Sequence, residues 1–170
     1  MHFYSVFILA CTGVQASEAQ LSELPDSGLT TSSFHADPVY HPLHSRLNST
    51  SGGGGWAPAS SSVGVWIQAD LADVKVVVKV ATQGRYGSIQ FMTSYRLATS
   101  YGYAYVYVTA ADGSERIFAG NTDVDTIVEH CFEEVQARFV RLFPQTWHSY
   151  MSMRWEIYTL NPPEGMTNSF

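Results

Sequence analysis

Short runs of β-branched and aromatic residues, separated by turn signals, begin at Val65 and continue almost to the end of the chain. The runs are VWIQADL, VKVVVKVATQG, FMTSYRLATS, YAYVYVTA, RIFAG, RFVRLFP and RWEIYTL. Such residues favour strands, and turn signals between short runs, for example Asp112-Gly113 and Gly120-Asn121, are typical of a sandwich or barrel. The pattern predicts an all-β fold with no helix longer than one or two turns.

One of these runs alternates large and small side chains. Tyrosine occupies positions 101, 103, 105 and 107, and glycine, alanine and valine occupy the positions between them. Because successive side chains of a strand point to opposite faces, the alternation predicts one strand with an aromatic face and a small apolar face. The tyrosines would pack across strands or, alternatively, form an exposed platform for a sugar ring or a partner's side chain.

The segments outside the strand-like runs have distinct compositions. Residues 1–16 are mostly apolar and end in Val14-Gln15-Ala16, which predicts a signal peptide cleaved after Ala16. Residues 17–28 are a polar leader and 161–170 are a C-terminal tail. NSTSGGGG at 48–55 is predicted to be a glycine-rich loop or a tight passage against the core. The sequon at Asn48 fits a glycosylated surface loop of a secreted protein. No other segment is long and apolar enough to span a bilayer, so no transmembrane segment is expected.

Composition and charge narrow the functional classes. The 170 residues are 45% hydrophobic and 14% charged, which suits one core and one domain. The formal net charge is −6, and the nine lysines and arginines are scattered singly. A nucleic-acid binder needs a basic stripe, so no nucleic-acid partner is expected, and attachment to a membrane by bulk charge is also disfavoured.

The two cysteines have different expected fates. Removal of residues 1–16 would remove Cys11 and leave Cys131 without an intrachain partner. Free cysteine is among the most buried residue types, which favours a small apolar role for Cys131. A reactive thiol, or a bridge that links a homo-oligomer, is the alternative.

Catalysis and metal binding find little support. The segment FHADPVYHPLHSR contains His35, Asp37, His41 and His44, but their spacing matches no familiar zinc pattern, so neither a metal nor another cofactor is expected. The chain has no Gly-x-Ser-x-Gly, Walker-type or His-Glu-x-x-His motif and is not expected to be an enzyme. The histidines instead suggest a ligand-contacting loop whose binding depends on pH near about 6 to 7.

Several charged and aromatic residues are expected to stabilise the fold. Charged side chains inside strand-like runs persist when they are paired, which predicts structural ion pairs there. The expected structural residues are Asp70, Arg138, Arg141, Arg154 and Glu156, together with the core tryptophans Trp56 and Trp66.

A series of short motifs resembles the discoidin domain, the F5/8 type C domain of coagulation factors V and VIII. The motifs are LTTSS at 29–33, SRLN at 45–48, GW at 55–56, WIQADL at 66–71, ATQGR at 81–85, FAGNTD at 118–123, ARFVR at 137–141 and RWE at 154–156. The resemblance covers 29–160 and implies an eight-stranded, jelly-roll-like β-sandwich with ligand-binding loops at one end. The chain departs from the family at Leu160, which takes the place of the closing cysteine of the family's disulfide.

The resemblance also implies where a ligand would bind. By position, the first spike is Phe34–His44 and the second spike is Arg85–Phe91. The implied ligand contacts are Tyr40, His41, His44, Arg85, Tyr86, Ile89 and Phe91.

Three kinds of partner are consistent with this resemblance. Aromatic rings beside hydrogen-bonding groups favour an adhesion or recognition module for cell-surface carbohydrate or glycoprotein. Apolar spike tips ringed by basic residues would favour an anionic phospholipid such as phosphatidylserine. The third alternative is a protein-binding matrix component that associates through Cys131 or the tyrosines.

Overall fold

The computed structural model describes residues 19–20 and 24–160, and for residues 19–20 and 132–134 it describes the backbone alone. The predicted signal peptide, the predicted tail and most of the predicted leader lie outside the described residues. Within the described part of the chain, no helix is long and apolar enough to cross a membrane.

Eight antiparallel strands make up the described fold. They are β1 (Ala19–Gln20), β2 (Leu29–Thr31), β3 (Ile67–Gln83), β4 (Phe91–Ser100), β5 (Val106–Tyr107), β6 (Phe118–Ala119), β7 (Val128–His148) and β8 (Arg154–Leu160). The strand order is β1-β8-β3-β7-β4-β5, with β2 on β3 and β6 on β4. The 3₁₀ turns are Asp26–Gly28, Pro38–Tyr40 and Pro42–Ser45. The prediction of an all-β, eight-stranded, jelly-roll-like sandwich is confirmed.

Two long strands, β3 and β7, organise the sandwich. The pairing of β3 with β7 shifts register between Asp70 and Lys75 and again between Val77 and Lys79. Such irregularities bend and twist a strand, which lets one strand serve different neighbours along its length. Residues Val76–Gln83 of β3 therefore pair with β8, while the other end of β3 pairs with β2.

The core lies between the bent strands and is rich in aromatic side chains. Trp56 is fully buried there, as expected, and Tyr95 stacks on Phe118 with their ring centroids 5.3 Å apart. The other large, fully buried side chains are Trp155, Ile67, Met92, Leu97, Leu142, Met151, Met153 and Ile157. Trp56 also exchanges backbone hydrogen bonds with Met153, which ties the loop before β3 to the start of β8.

The predicted continuous strand from Tyr101 to Val108 is wrong. Only Val106 and Tyr107 form a strand, and Gly102 has a φ of 134°, which breaks the extended backbone. Tyr103 is 98% exposed, whereas the ring of Tyr105 lies against the Arg141 guanidinium, 3.8 Å from ring centroid to Cζ. The tyrosines therefore do not share one face.

Cys131 is disulfide-bonded, which corrects the expectation that it has no intrachain partner. That expectation followed from the predicted removal of Cys11, the only other cysteine in the sequence. Cys11 lies outside the described residues.

Candidate functional site

Four connecting segments meet at one end of the sandwich, here called the loop end. The ends of β3, β4, β7 and β8 coincide there, because Gln83 lies opposite Arg154 and Phe91 lies opposite His148. The segments are residues 34–56, which include the first spike, 84–90 with most of the second spike, 120–127, and 149–153.

Glycines 52–55, here called the glycine run, let two of these segments approach each other closely. The Gly53 N–H donates to the Val39 carbonyl at 2.7 Å, and the Tyr86 N–H donates to the Gly54 carbonyl at 2.8 Å. A Cβ atom at Gly53 would lie within 3.0 Å of the Tyr40 ring. The missing side chain at Gly53 thus makes room for Tyr40 of the first spike.

Arg85 joins the two spikes across the glycine run. Its Nε donates to the Gly53 carbonyl at 2.6 Å, its Nη1 donates to Gln90 Oε1 at 2.8 Å, and its Nη2 donates to the Tyr40 hydroxyl at 3.2 Å. The guanidinium carbon lies 4.7 Å from the centroid of the Tyr40 ring. A guanidinium has five N–H groups, so these three bonds fix its orientation and leave two N–H groups for a ligand.

Exposed side chains surround Arg85 and Tyr40. Tyr86 is 48% exposed and Ile89 is 67% exposed, and both belong to the second spike. On the first spike, His44 Nδ1 hydrogen-bonds with Ser51 Oγ at 2.9 Å. Burial, aided by the nearby His41, lowers the pKa of His44, which keeps its imidazole uncharged at neutral pH.

Arg154 is buried at the loop end and links its loops by hydrogen bonds. Its side chain is 3% exposed, and it donates to three main-chain carbonyls, those of Gly84 at 2.7 Å, Ser49 at 3.1 Å and Val124 at 2.8 Å. These carbonyls belong to three different loops. The sequence predicted an ion-paired Arg154, but Asp125 Oδ1 lies 4.0 Å from its Nη2, farther than any of the three carbonyls. A sequence pattern cannot reveal that the acceptors are backbone carbonyls.

The structure brings Tyr40, Arg85, Tyr86 and His44 to one place but separates two other predicted contacts from them. The ring of His41 packs edge-on against Phe34, with centroids 4.9 Å apart. Phe91 is the first residue of β4 and stacks on His148 at 4.8 Å. Sequence reasoning missed Ser51 and Gln90, whereas the four consecutive glycines did indicate a possible tight passage, and Gly53 and Gly54 do approach other segments closely.

Three of the remaining predicted structural residues, Asp70, Arg138 and Arg141, lie toward the opposite end of β3. Arg138 and Asp70 form a two-point ion pair at 2.8 and 3.0 Å, and the hydrogen bond from Arg138 lowers the pKa of Asp70. Arg141 lies between the Trp66 and Tyr105 rings and donates to Gln68. Trp66 is only partly buried, which corrects the prediction that it is a core residue. Glu156 is buried in β8.

No group of three or more His, Cys, Asp or Glu side chains among the described residues is arranged to hold a metal ion. Around Arg85, the loop end instead presents hydrogen-bond donors and aromatic rings. Such a set can orient an uncharged, oxygen-rich ligand or a single anionic group.

Known proteins with the same architecture fall into two groups. One solved structure of discoidin II from Dictyostelium discoideum matches with a TM-score of 0.73 and 28% identity over 82% of this chain and 57% of that chain. A second matches with a TM-score of 0.77 and 27% identity over 92% of this chain and 63% of that chain. The chain thus spans less than two thirds of the length of discoidin II.

The second group has much lower sequence identity. The family 32 CBM from C. perfringens NanJ, solved in complex with galactose, matches with a TM-score of 0.60 and 14% identity over 83% of this chain and 98% of that chain. At this identity the likeness concerns the fold alone. The F5/8 type C domain family model matches residues 28–157. This chain, with the motifs, strand order and loop end described above, belongs to the F5/8 type C domain family.

Proposed function

We propose that the chain is a secreted, non-catalytic module for adhesion or recognition that binds cell-surface carbohydrate or glycoprotein at the loop end. The observation that carries the proposal is the junction of the two spikes. Arg85 is held there by Gly53, Gln90 and Tyr40, and the half-exposed ring of Tyr86 is the next residue along the chain.

The chemistry of this junction suits a sugar. A sugar ring has an apolar face that packs on an aromatic ring and hydroxyl groups that accept hydrogen bonds from fixed donors. Tyr86 supplies the exposed ring and Arg85 supplies donors. Tyr40 contributes differently from the sequence-based expectation, because Gly53, Arg85 and His35 pack against its ring. Its hydroxyl accepts a hydrogen bond from Arg85 and can still donate its own hydrogen to a ligand.

The comparisons support a carbohydrate ligand. The CBM from NanJ was solved with galactose, and a further module of the same fold, CpGH89CBM32-5 from Clostridium perfringens, was solved with GalNAc-β-1,3-galactose. We infer secretion from the disulfide bond of Cys131, since such bonds persist in oxidising compartments, and from Asn48, an exposed sequon residue in the loop after the first spike.

A phospholipid headgroup is the second candidate ligand. The observation in its favour is Ile89, whose exposed side chain lies on the second spike close to Arg85. Against it, the basic group of the junction is already bonded to three protein oxygens, and the chain carries a net charge of −6. We therefore treat membrane binding as the alternative outcome of the same experiment.

The test compares binding of the purified chain to a glycan array, to galactose and to phosphatidylserine liposomes. We expect Tyr86→Ala to weaken sugar binding about fivefold, because loss of an aromatic contact is worth about 1 kcal/mol. Tyr103→Ala is the matched control, since Tyr103 is 98% exposed and lies outside the loop end.

Each outcome separates the alternatives. Liposome binding that Ile89→Ala abolishes would replace the carbohydrate proposal with the phospholipid one. Sugar binding that depends on Tyr103 would move the site to the tyrosine segment. Absence of binding to both sugars and liposomes would contradict both proposals and favour a protein partner.

A further inference from the structure

An open groove of about 490 Å³ lies between β2 and the first spike. Its lining includes Leu29, Thr30, Ser33, Phe34, His41 and Pro42, and does not include Tyr40, Arg85 or Tyr86. Tyr40 packs on Gly53 and Arg85, whereas the next residue, His41, packs on Phe34. The groove is therefore separate from the spike junction.

The groove combines a fixed apolar floor with an accessible ring. Leu29 and Pro42 are both buried, so their positions are set by the core and by the 3₁₀ turn Pro42–Ser45. Phe34 is 39% exposed, and its contact with His41 is edge-on at 67° between ring planes. That contact leaves Phe34 ring surface open to a ligand that stacks.

Hydrogen-bond donors line the same groove. Thr30 Oγ1 accepts from Gln68 Nε2, and Ser33 Oγ accepts from the Ala59 N–H, both at 3.3 Å. Each of these bonds occupies a lone pair and leaves the hydroxyl hydrogen to donate. His41 Nδ1 accepts from the Leu43 N–H at 3.3 Å, which places the proton of a neutral imidazole on Nε2. The Thr30 side chain faces Gln68, on the face of β2 opposite to that of Leu29. Ser33 and His41 are therefore the donors that remain for the groove.

The charge of the lining selects the kind of ligand. Every residue that lines the groove in the described part of the chain is free of formal charge when His41 is neutral. A charged ligand would lose hydration there without gaining an opposite charge. A neutral ligand with many oxygen acceptors and one apolar face meets all the requirements, and the volume lies within the usual range for small-ligand sites.

We propose that this groove is a second binding site, specific for a neutral sugar ring that stacks on Phe34 and accepts hydrogen bonds from Ser33 and His41. The site does not depend on the junction at Arg85 and Tyr86. Because Tyr40 and His41 are consecutive, with Cα atoms about 3.8 Å apart, one branched or extended glycan can contact both sites. Two linked contacts raise the effective affinity without any change in either site.

The experiment follows backbone amide signals of the ¹⁵N-labelled chain while galactose, and separately N-acetylgalactosamine, is added. We expect saturable shifts at Thr30–Phe34 and Leu43. Phe34→Ala should weaken the binding reported by these amides about tenfold and leave the response of Arg85 and Tyr86 unchanged. Phe34→Tyr retains the ring and is the conservative control, which should bind as the unaltered chain does.

This experiment tests the groove site and the spike junction independently of each other. Shifts at Arg85 and Tyr86 without shifts at Thr30–Phe34 would overturn the groove site and leave the proposed function standing. Shifts at Thr30–Phe34 that persist unchanged in Phe34→Ala would also overturn it. A response confined to the groove would support the second site and contradict the junction as the sugar site, and no response anywhere would overturn both.

Discussion

Two glycines at the loop end show how similar residues serve different purposes. Gly54 and Gly87 both have a positive φ, 82° and 68°. A Cβ atom at Gly54 would lie within 3.0 Å of the Tyr86 carbonyl oxygen, whereas a Cβ atom at Gly87 would meet nothing within 4 Å. Gly87 is therefore needed only for its backbone conformation, while Gly54 is also needed for the contact between the glycine run and the second spike.

We predict different losses of stability for alanine at these two positions. Gly87→Ala should cost about 1 to 2 kcal/mol, the penalty of a left-handed backbone with a side chain. Gly54→Ala should cost a further 1 to 3 kcal/mol or so, because a backbone carbonyl must move away. Urea unfolding of both variants measures the difference. Equal losses would show that the contact between Gly54 and Tyr86 contributes nothing to stability.

Arg154, the first residue of β8, links three loops of the loop end. Arg154 is buried and satisfies carbonyls of the loops that contain Ser49, Gly84 and Val124. Arg138 offers a contrast within β7, since it is 43% exposed and bonds one carboxylate, that of Asp70. An arginine whose donors cross-link buried loop carbonyls should matter far more for stability than an arginine in a hydrated ion pair.

Replacement of each arginine by methionine tests this contrast. Arg154→Met should lower the free energy of unfolding by about 3 kcal/mol or more, because three carbonyls lose a charged donor. Arg138→Met should lower it by only about 0 to 1 kcal/mol, the usual value for an exposed ion pair. Chemical unfolding of the two variants provides the measurement. A small loss for Arg154→Met would mean that water replaces its hydrogen bonds and that the loops do not depend on it.

The same elements show what the sequence could and could not predict. The strands β3, β4 and β8 coincide closely with β-branched runs, whereas the first half of β7 contains His130 and three glutamates and was not recognised. It is a strand because it pairs with β3, and pairing outweighs local propensity. Residue types at the spikes were visible in the sequence. Their contacts were not, because Arg85 meets Tyr40 across 45 positions of the chain.

At the scale of the whole molecule, the disulfide of Cys131 and the predicted signal peptide exclude each other. Cleavage after Ala16 would remove Cys11, the only other cysteine in the sequence. A bridge between them would close a loop of about 120 residues and restrict the unfolded chain by as much as about 4 to 5 kcal/mol. A chain that keeps the bridge and a chain that loses it should therefore differ strongly in stability.

The final prediction concerns the state of the thiols in the 170-residue chain, produced under oxidising conditions. After denaturation it should take up no alkylating reagent before reduction and two equivalents after it, since both cysteines then become free. Residues 17–170, produced separately, are the control and should take up one equivalent without reduction. Uptake by the full chain before reduction would contradict the disulfide. If residues 17–170 unfold cooperatively at a denaturant concentration close to that of the oxidised full chain, the strand core alone maintains the fold, and cleavage after Ala16 would leave the loop end intact.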